Sequence, residues 1–304
     1  MGLIPLVPAH TKIDFVRMRF WAFGFSLLVI IGSFLALGTR GLNYGIDFRG
    51  GFLIEIRTSQ PADLAKMRSS LLDLRVGEVK LQEAGSARDI MIRLEKQKGG
   101  EDAQQIALNK IKAALGQNVE YRRIETVGPK VSEDLIRNGV IAVGLAMLAM
   151  LGYIWFRYEW QFGVCGVLAL LHDCLAILGL YAVSPLEFNE TSLIAILTTL
   201  GYSINDTVVI YDRLRENMRK YKKTSLKELL NLSMNETLSR TTLTVATTLL
   251  SLVALYLFGG KIIAEFSLPI IFGISFGTYS SIFISSLLLL YFTPQRTREE
   301  IVSS

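Results

Sequence analysis

The chain has 304 residues, 51% of them hydrophobic and 19% charged, with a formal net charge of +5. A mean hydropathy of +0.39 is too high for an ordinary soluble globular protein, so the charged residues must be concentrated outside the apolar stretches. The basic residues divide among short clusters beside those stretches, which reads as membrane topology and argues against a nucleic-acid partner.

A bilayer core about 30 Å thick needs roughly 20 apolar residues per helix. Residues 1–19 form a basic N-terminus with Lys12, Arg17 and Arg19, and residues 20–37 form the first span. Ala36-Leu37-Gly38 loosely resembles a cleavage site, so a signal peptide stands as an alternative to a retained anchor. The apolar run is longer than the roughly 7–15 residues of a signal core, which favours the anchor.

Residues 38–134 change character, with dense mixed charge and the periodicities of a soluble domain. Residues 51–58 alternate as a strand. Residues 61–74 carry Leu64, Met67, Leu71 and Leu74 as a helical stripe. Residues 78–82 and 89–94 read as strands around a Gly-Ser-Ala turn. Residues 103–115 read as a helix with Ile106, Ala107, Ile111, Ala114 and Leu115 on one face, closed by Gly116. A last strand covers 118–126. The order β-α-β-β-α-β is the ferredoxin-like pattern. Ahead of it, the run from Gly45 to Gly51 lacks the Lys-Ser/Thr ending of a phosphate loop. It is expected to be a tight turn in which Asp47 and Arg49 make local hydrogen bonds.

Further spans are expected at 135–156, 162–183, 191–211, 241–258 and 267–292, giving an α-helical membrane protein with six transmembrane helices. Residues 212–240 form a loop whose Leu226, Leu229, Leu230 and Leu232 predict an amphipathic helix lying on the membrane surface. Residues 293–304 form the C-terminus. Arg157, Arg213, Arg215, Arg219, Lys220, Lys222, Lys223, Lys227, Arg296 and Arg298 all fall on one side by this count. The positive-inside rule then places both termini in the cytoplasm and residues 38–134 outside.

Cys165 and Cys174 lie on one predicted helix about 13 Å apart, too far to bridge, and read as packing residues. His10 and His172 are the two histidines, so no metal site is expected, and the outer domain has no catalytic cluster.

Ionisable residues inside a bilayer are costly, about 2.5–3.5 kcal/mol for a central Asp, and need a reason. His172 and Asp173 fall in the third span and Asp206 in the fourth. The fourth span carries a polar stripe of Thr199, Tyr202 and Asp206, bordered by Asn205; the fifth carries Arg240, Thr244, Thr248 and Ser251. Asp206 lies about 9 Å above the inner end of its helix, within reach of Arg240 and level with Thr244. A polar wire into the protein interior past Arg240 and Thr244 is therefore expected, in which burial and the nearby Arg240 compete so that Asp206 can load and release a proton; His172, Asp173, Asn205 and Tyr202 are a possible further polar relay. Arg240 as a snorkelling side chain and Asp206 as a static structural acid remain open alternatives. Adjacent residues on a helix point to different faces, so His172 and Asp173 need not act as a pair. Gly273, Gly277 and Ser281 form a small-residue ridge, expected to serve internal packing rather than a partner contact.

The run Gly45-Ile-Asp-Phe-Arg-Gly-Gly51, Val127-Gly-Pro-Lys130, His172-Asp173, Gly201-Tyr-Ser-Ile-Asn-Asp-Thr207 with Asp212-Arg213, Arg240-Thr-Thr-Leu-Thr244 and Phe258-Gly-Gly260 stand together at specific spacings. With them the chain resembles the SecD/SecF family of the resistance-nodulation-division superfamily over almost its whole length. The resemblance implies an inner-membrane subunit of Sec protein export that uses the proton-motive force. It implies a SecD-like partner, indirect work beside the SecYEG channel and SecA, an unfolded polypeptide as cargo, membrane lipid around it and no nucleic acid. Asp206 would carry the proton with Arg240 and Thr244, protons being the coupling ion and no other cofactor being needed. A proton-driven small-molecule exporter subunit of the same superfamily is the alternative; such exporters usually carry two halves and two outer domains in one chain. An intramembrane enzyme built on His172 and Asp173 lacks a nucleophile or ligand set of suitable spacing.

Overall fold

The computed structural model describes residues 11–292 apart from 75, 78, 84, 85, 96, 98, 117 and 118; readings that fall on His10 and on 293–304 lie outside the described residues. Two compact units result, one of them residues 43–141 with 187–191.

That unit holds β1 (Gly51–Thr58), β2 (Val79–Glu83), β3 (Asp89–Glu95) and β4 (Val119–Val127) in the order β2-β3-β1-β4, every neighbouring pair antiparallel. This is the ferredoxin-like topology. The two-residue period turns Phe52, Ile54, Ile56, Ile90, Ile92 and Leu94 onto one buried face. Two helices cover it: α3 (Leu64–Leu72), capped by Asp63 on the N–H groups of Ala65 and Lys66, and α4 (Gly100–Leu115). The buried face of α4 is rotated from the expected one. Gln104, Ala107, Leu108 and Ile111 point inward, whereas Ile106 is 57% exposed and Ala114 is exposed.

The glycine-rich run contains a four-residue helical turn, α2 (Ile46–Arg49), rather than a plain turn. Gly51 follows it at φ +136°, and a Cβ there would lie 2.1 Å from the Leu94 carbonyl oxygen, so only glycine fits. Asp47 bonds not locally but to the N–H of Glu190, and Arg49 pairs with Glu95. Phe188 stacks on Phe48 at 5.5 Å and exchanges backbone hydrogen bonds with Asn43 and Gly45.

Among the described residues, six helices are long and apolar enough to cross a membrane. The first is α1 (Arg19–Thr39); the others are α5 (Pro129–Arg157), α6 (Trp160–Val183), α7 (Glu190–Lys220), α8 (Leu226–Phe258) and α9 (Gly260–Ser280). The last continues through a π-helical turn (Ser281–Ser285) into α10 (Ser286–Leu288). The expected surface helix does not exist as a separate element. No Gly or Pro interrupts residues 226–258, so it is the start of α8. Leu226, Leu229 and Leu230 do not face lipid; they are buried with Tyr158, Phe162, Tyr211, Leu214 and Leu287. Asn231 and Asn235, one turn apart on α8, hold the segment before α1. Asn235 accepts from the Ile13 N–H and donates to its carbonyl, while Asn231 accepts from the Val16 N–H and donates to Asp14.

Candidate functional site

Helices α7 and α9 run in the same direction in close contact. Ser203 donates to the Gly277 carbonyl, Thr207 to the Ser281 hydroxyl and Tyr211 to the Ser285 carbonyl, each pair 74 residues apart. Thr199 faces Gly273 at the same offset. A constant offset with a step of four is the meeting of two i, i+4 ridges in parallel helices. A Cβ on Gly273 would lie 2.5 Å from the Thr199 side chain, and one on Gly277 would lie 2.9 Å from the Ser203 Cβ. The small-residue ridge therefore serves internal packing, and it lets polar side chains of α7 reach α9.

Asp173 on α6 stands at the head of this ladder and is fully buried. Its Oδ2 accepts from the hydroxyls of Ser203 (2.6 Å) and Ser280 (2.7 Å), and its Oδ1 lies 3.1 Å from Nδ1 of His172. The neighbours His172 and Asp173, which as adjacent helical residues need not act as a pair, are hydrogen-bonded to each other. Below, Ser281 donates to the Ser203 and Gly277 carbonyls. In the π turn, the Ser281 carbonyl accepts from both Ser285 and Ser286 hydroxyls, so the widened turn keeps its oxygen satisfied.

Asp206 is in a different state. It is 3% exposed, and its Oδ2 has no hydrogen-bond partner. Among the described residues it forms no ion pair with Arg240, which lies within electrostatic range but is itself exposed. Thr244 turns its hydroxyl back to the Arg240 carbonyl, and Tyr202 bonds to the Thr248 hydroxyl and the Thr244 carbonyl. Asn205 is exposed. The structure thus brings Tyr202 to α8 and joins His172 to Asp173, but among the described residues leaves Asp206 without a hydrogen bond to Arg240 or Thr244, which are joined only through the Thr244 hydroxyl and the Arg240 carbonyl. Ser203, Thr207 and Ser280 belong to the site although the sequence does not single them out. Their signal is present, since Ser203 and Thr207 continue the four-residue step from Thr199, and Ser280 adjoins the small-residue ridge. Among the described residues no cluster of three metal-ligating side chains occurs.

Residues 107–295 match the family model described as protein export membrane protein SecD/SecF, C-terminal, and residues 35–62 match the SecD/SecF GG motif. The chain belongs to the SecD/SecF protein export family. The doublet of that motif is Gly50-Gly51, at positive φ in both residues. The protein translocase subunit SecF of Rickettsia felis is 46% identical over 99% of both chains, and that of Rickettsia prowazekii 44% identical over 100% of this chain and 99% of its own. Two SecDF crystal structures share the fold. That of SecDF from Thermus thermophilus, a translocon-associated membrane protein, has a TM-score of 0.81 and 34% identity over 95% of this chain. SecDF in its super-membrane-facing form has a TM-score of 0.71 and 32% identity over 100%. This chain spans 40% and 41% of those longer SecDF chains. It is a multi-pass membrane protein of SecF type.

Proposed function

We propose that this chain couples the proton-motive force to late steps of Sec protein export across the bacterial inner membrane, with a SecD-like subunit as its partner. The observation that carries the reading is the contrast between two buried acids. Asp173 has its oxygens occupied by fixed donors, whereas Asp206 keeps an oxygen with no partner. A buried carboxylate oxygen left without a partner is costly in its charged form, and binding a proton relieves that cost. Asp206 is therefore the proton carrier, with Arg240 acting on it through space and Thr244 beside it on α8. Protons are the coupling ion, and the chain acts as a transport subunit rather than an enzyme.

Movement has a route outward. Helix α7 runs unbroken from Glu190 to Lys220, and the N–H of its first residue is held by Asp47. A shift of α7 on proton binding thus reaches the outer domain through the chain itself. The partner reading rests on α8, whose apolar window is only 6% buried and whose Thr247 and Ser251 are exposed beside Leu243 and Leu250. A SecD-like helix bundle against that face would enclose those hydroxyls. SecYEG and SecA would act alongside without direct contact, on an unfolded polypeptide that emerges on the side of the outer domain, with both termini of this chain in the cytoplasm.

The test is precursor translocation into inverted vesicles that lack this chain, with SecA and ATP supplied. Adding the chain with a SecD-like subunit should restore an increment that vanishes when the proton gradient is collapsed. An increment of equal size without the gradient, or without the second subunit, would contradict the proposal.

A further inference from the structure

At the end of α7 farthest from Glu190, an open cavity of about 570 Å³ is lined by Arg157, Asp212, Arg215, Glu216, Arg219 and Lys220. Its two acids are already engaged. Asp212 accepts from the Tyr158 hydroxyl at 2.7 Å and pairs with Arg157, and Glu216 pairs with Arg213, which does not line the cavity. Arg215 donates to the Arg157 carbonyl, which leaves its charge uncompensated. Arg219 and Lys220 form no ion pair among the described residues; Lys220 lies over the Tyr221 ring and within electrostatic range of Glu236. The lining thus carries four cations against two anions, a net charge of +2, with both anions already paired.

The surroundings decide which anion. Trp155, Phe156 and Trp160 are 65%, 95% and 49% exposed on either side of Arg157, at the joined ends of two membrane-length helices. Exposed tryptophans at such ends mark headgroup depth. A basic pocket between helix ends at that depth suits a phosphate on a lipid. We infer that this cavity binds the phosphate of an anionic phospholipid, its acyl chains lying along the exposed aromatic residues. A bound lipid would fix the inner end of the helix that carries Asp206. The inference stands independently of the export reading.

The probe is phosphatidylglycerol, titrated into the full chain in neutral detergent and counted by native mass spectrometry, with phosphatidylcholine and inorganic phosphate as separate arms. One tightly retained phosphatidylglycerol per chain is expected, with no retained phosphatidylcholine and no displacement by millimolar phosphate. Arg219→Gln with Lys220→Gln should weaken phosphatidylglycerol binding at least about tenfold, since each basic group near an anionic headgroup contributes measurably. Arg219→Lys with Lys220→Arg should restore binding, and Arg219→Gln alone provides a milder loss if the double variant melts early. Equal binding by the neutralised and parent chains, or equal retention of phosphatidylcholine, would overturn the inference. Displacement by inorganic phosphate as effective as by short-chain phosphatidylglycerol would overturn the assignment to lipid.

Discussion

The Asp173 carboxylate on α6 and the Ser280 hydroxyl on α9 are hydrogen-bonded at 2.7 Å in a fully buried position. With Ser203 they tie three helices at one point, and one turn along α7 Asp206 lies with an unpartnered oxygen. One acid is tied to hydroxyls of two neighbouring helices; the other keeps a buried oxygen without a partner.

Asp173→Ala removes the acceptor and leaves the Ser203 and Ser280 hydroxyls to find other partners. Loss of a buried hydrogen-bonded group of this kind should cost about 1–3 kcal/mol. Thermal unfolding of the purified chain in detergent should report it as a lowered midpoint. Ser280→Ala, which removes a single donor to that carboxylate, should cost less. Equal stability of Asp173→Ala and the parent would show that the cluster does not hold the helices.

Much of this architecture is legible in the sequence, and what is not has specific causes. Apolar runs and basic clusters define the spans because a bilayer leaves few alternatives. The strand pattern is readable because Ile54 and Ile56 flank Glu55, and Ile92 and Leu94 flank Arg93. The face of α4 is misleading because Ile106 and Ala114 are apolar yet exposed, while the polar Gln104 is buried. The start of α8 resembles a surface helix because leucines at helical spacing look alike whether they face lipid or protein. The serine cluster leaves only a spacing signal, because the four-residue step of Thr199, Ser203 and Thr207 does not tell which helix their hydroxyls will meet.

Gly273→Ala tests the α7–α9 contact. The added Cβ would lie 2.5 Å from Thr199, so the helices must part or the side chain must move. Overpacking should cost about 1–3 kcal/mol. Thr199→Ala in the same chain should recover part of the loss. Thermal midpoints of the single and double variants supply the comparison; failure of the second change to help would place the strain elsewhere.

Gly51→Ala tests the doublet ahead of β1. With φ at +136° and the Leu94 carbonyl oxygen 2.1 Å from where a Cβ would stand, there is no room for a side chain. Hydrogen exchange should become faster across β1 and β3 while the helix bundle keeps its protection. Unchanged exchange in those strands would contradict the geometry.

Asp89 tests the outer domain by pH. Arg57 grips both its oxygens at 2.7 and 2.8 Å, Ser86 donates a third bond, and together they hold this carboxyl well below the usual carboxylate range. A lowered folded pKa stabilises the domain above the unfolded value, about 3.9, and that stability is lost as pH falls further towards the folded value. Asp89→Asn should weaken β1–β3 at neutral pH and make the loss of protection below about pH 4 shallower. Parallel pH profiles for the variant and the parent would exclude the role.

Proton carriage by Asp206 is tested most directly by Asp206→Asn in the vesicle translocation assay with a SecD-like partner, SecA and ATP. The amide keeps the shape of the side chain and is cheaper to bury than a carboxylate, so a purely structural residue would tolerate it. The expected result is a chain that inserts and binds its partner normally but shows no translocation increment from the proton gradient, whereas the parent loses its increment only when the gradient is collapsed. An Asn variant that keeps the full gradient-dependent increment would contradict it.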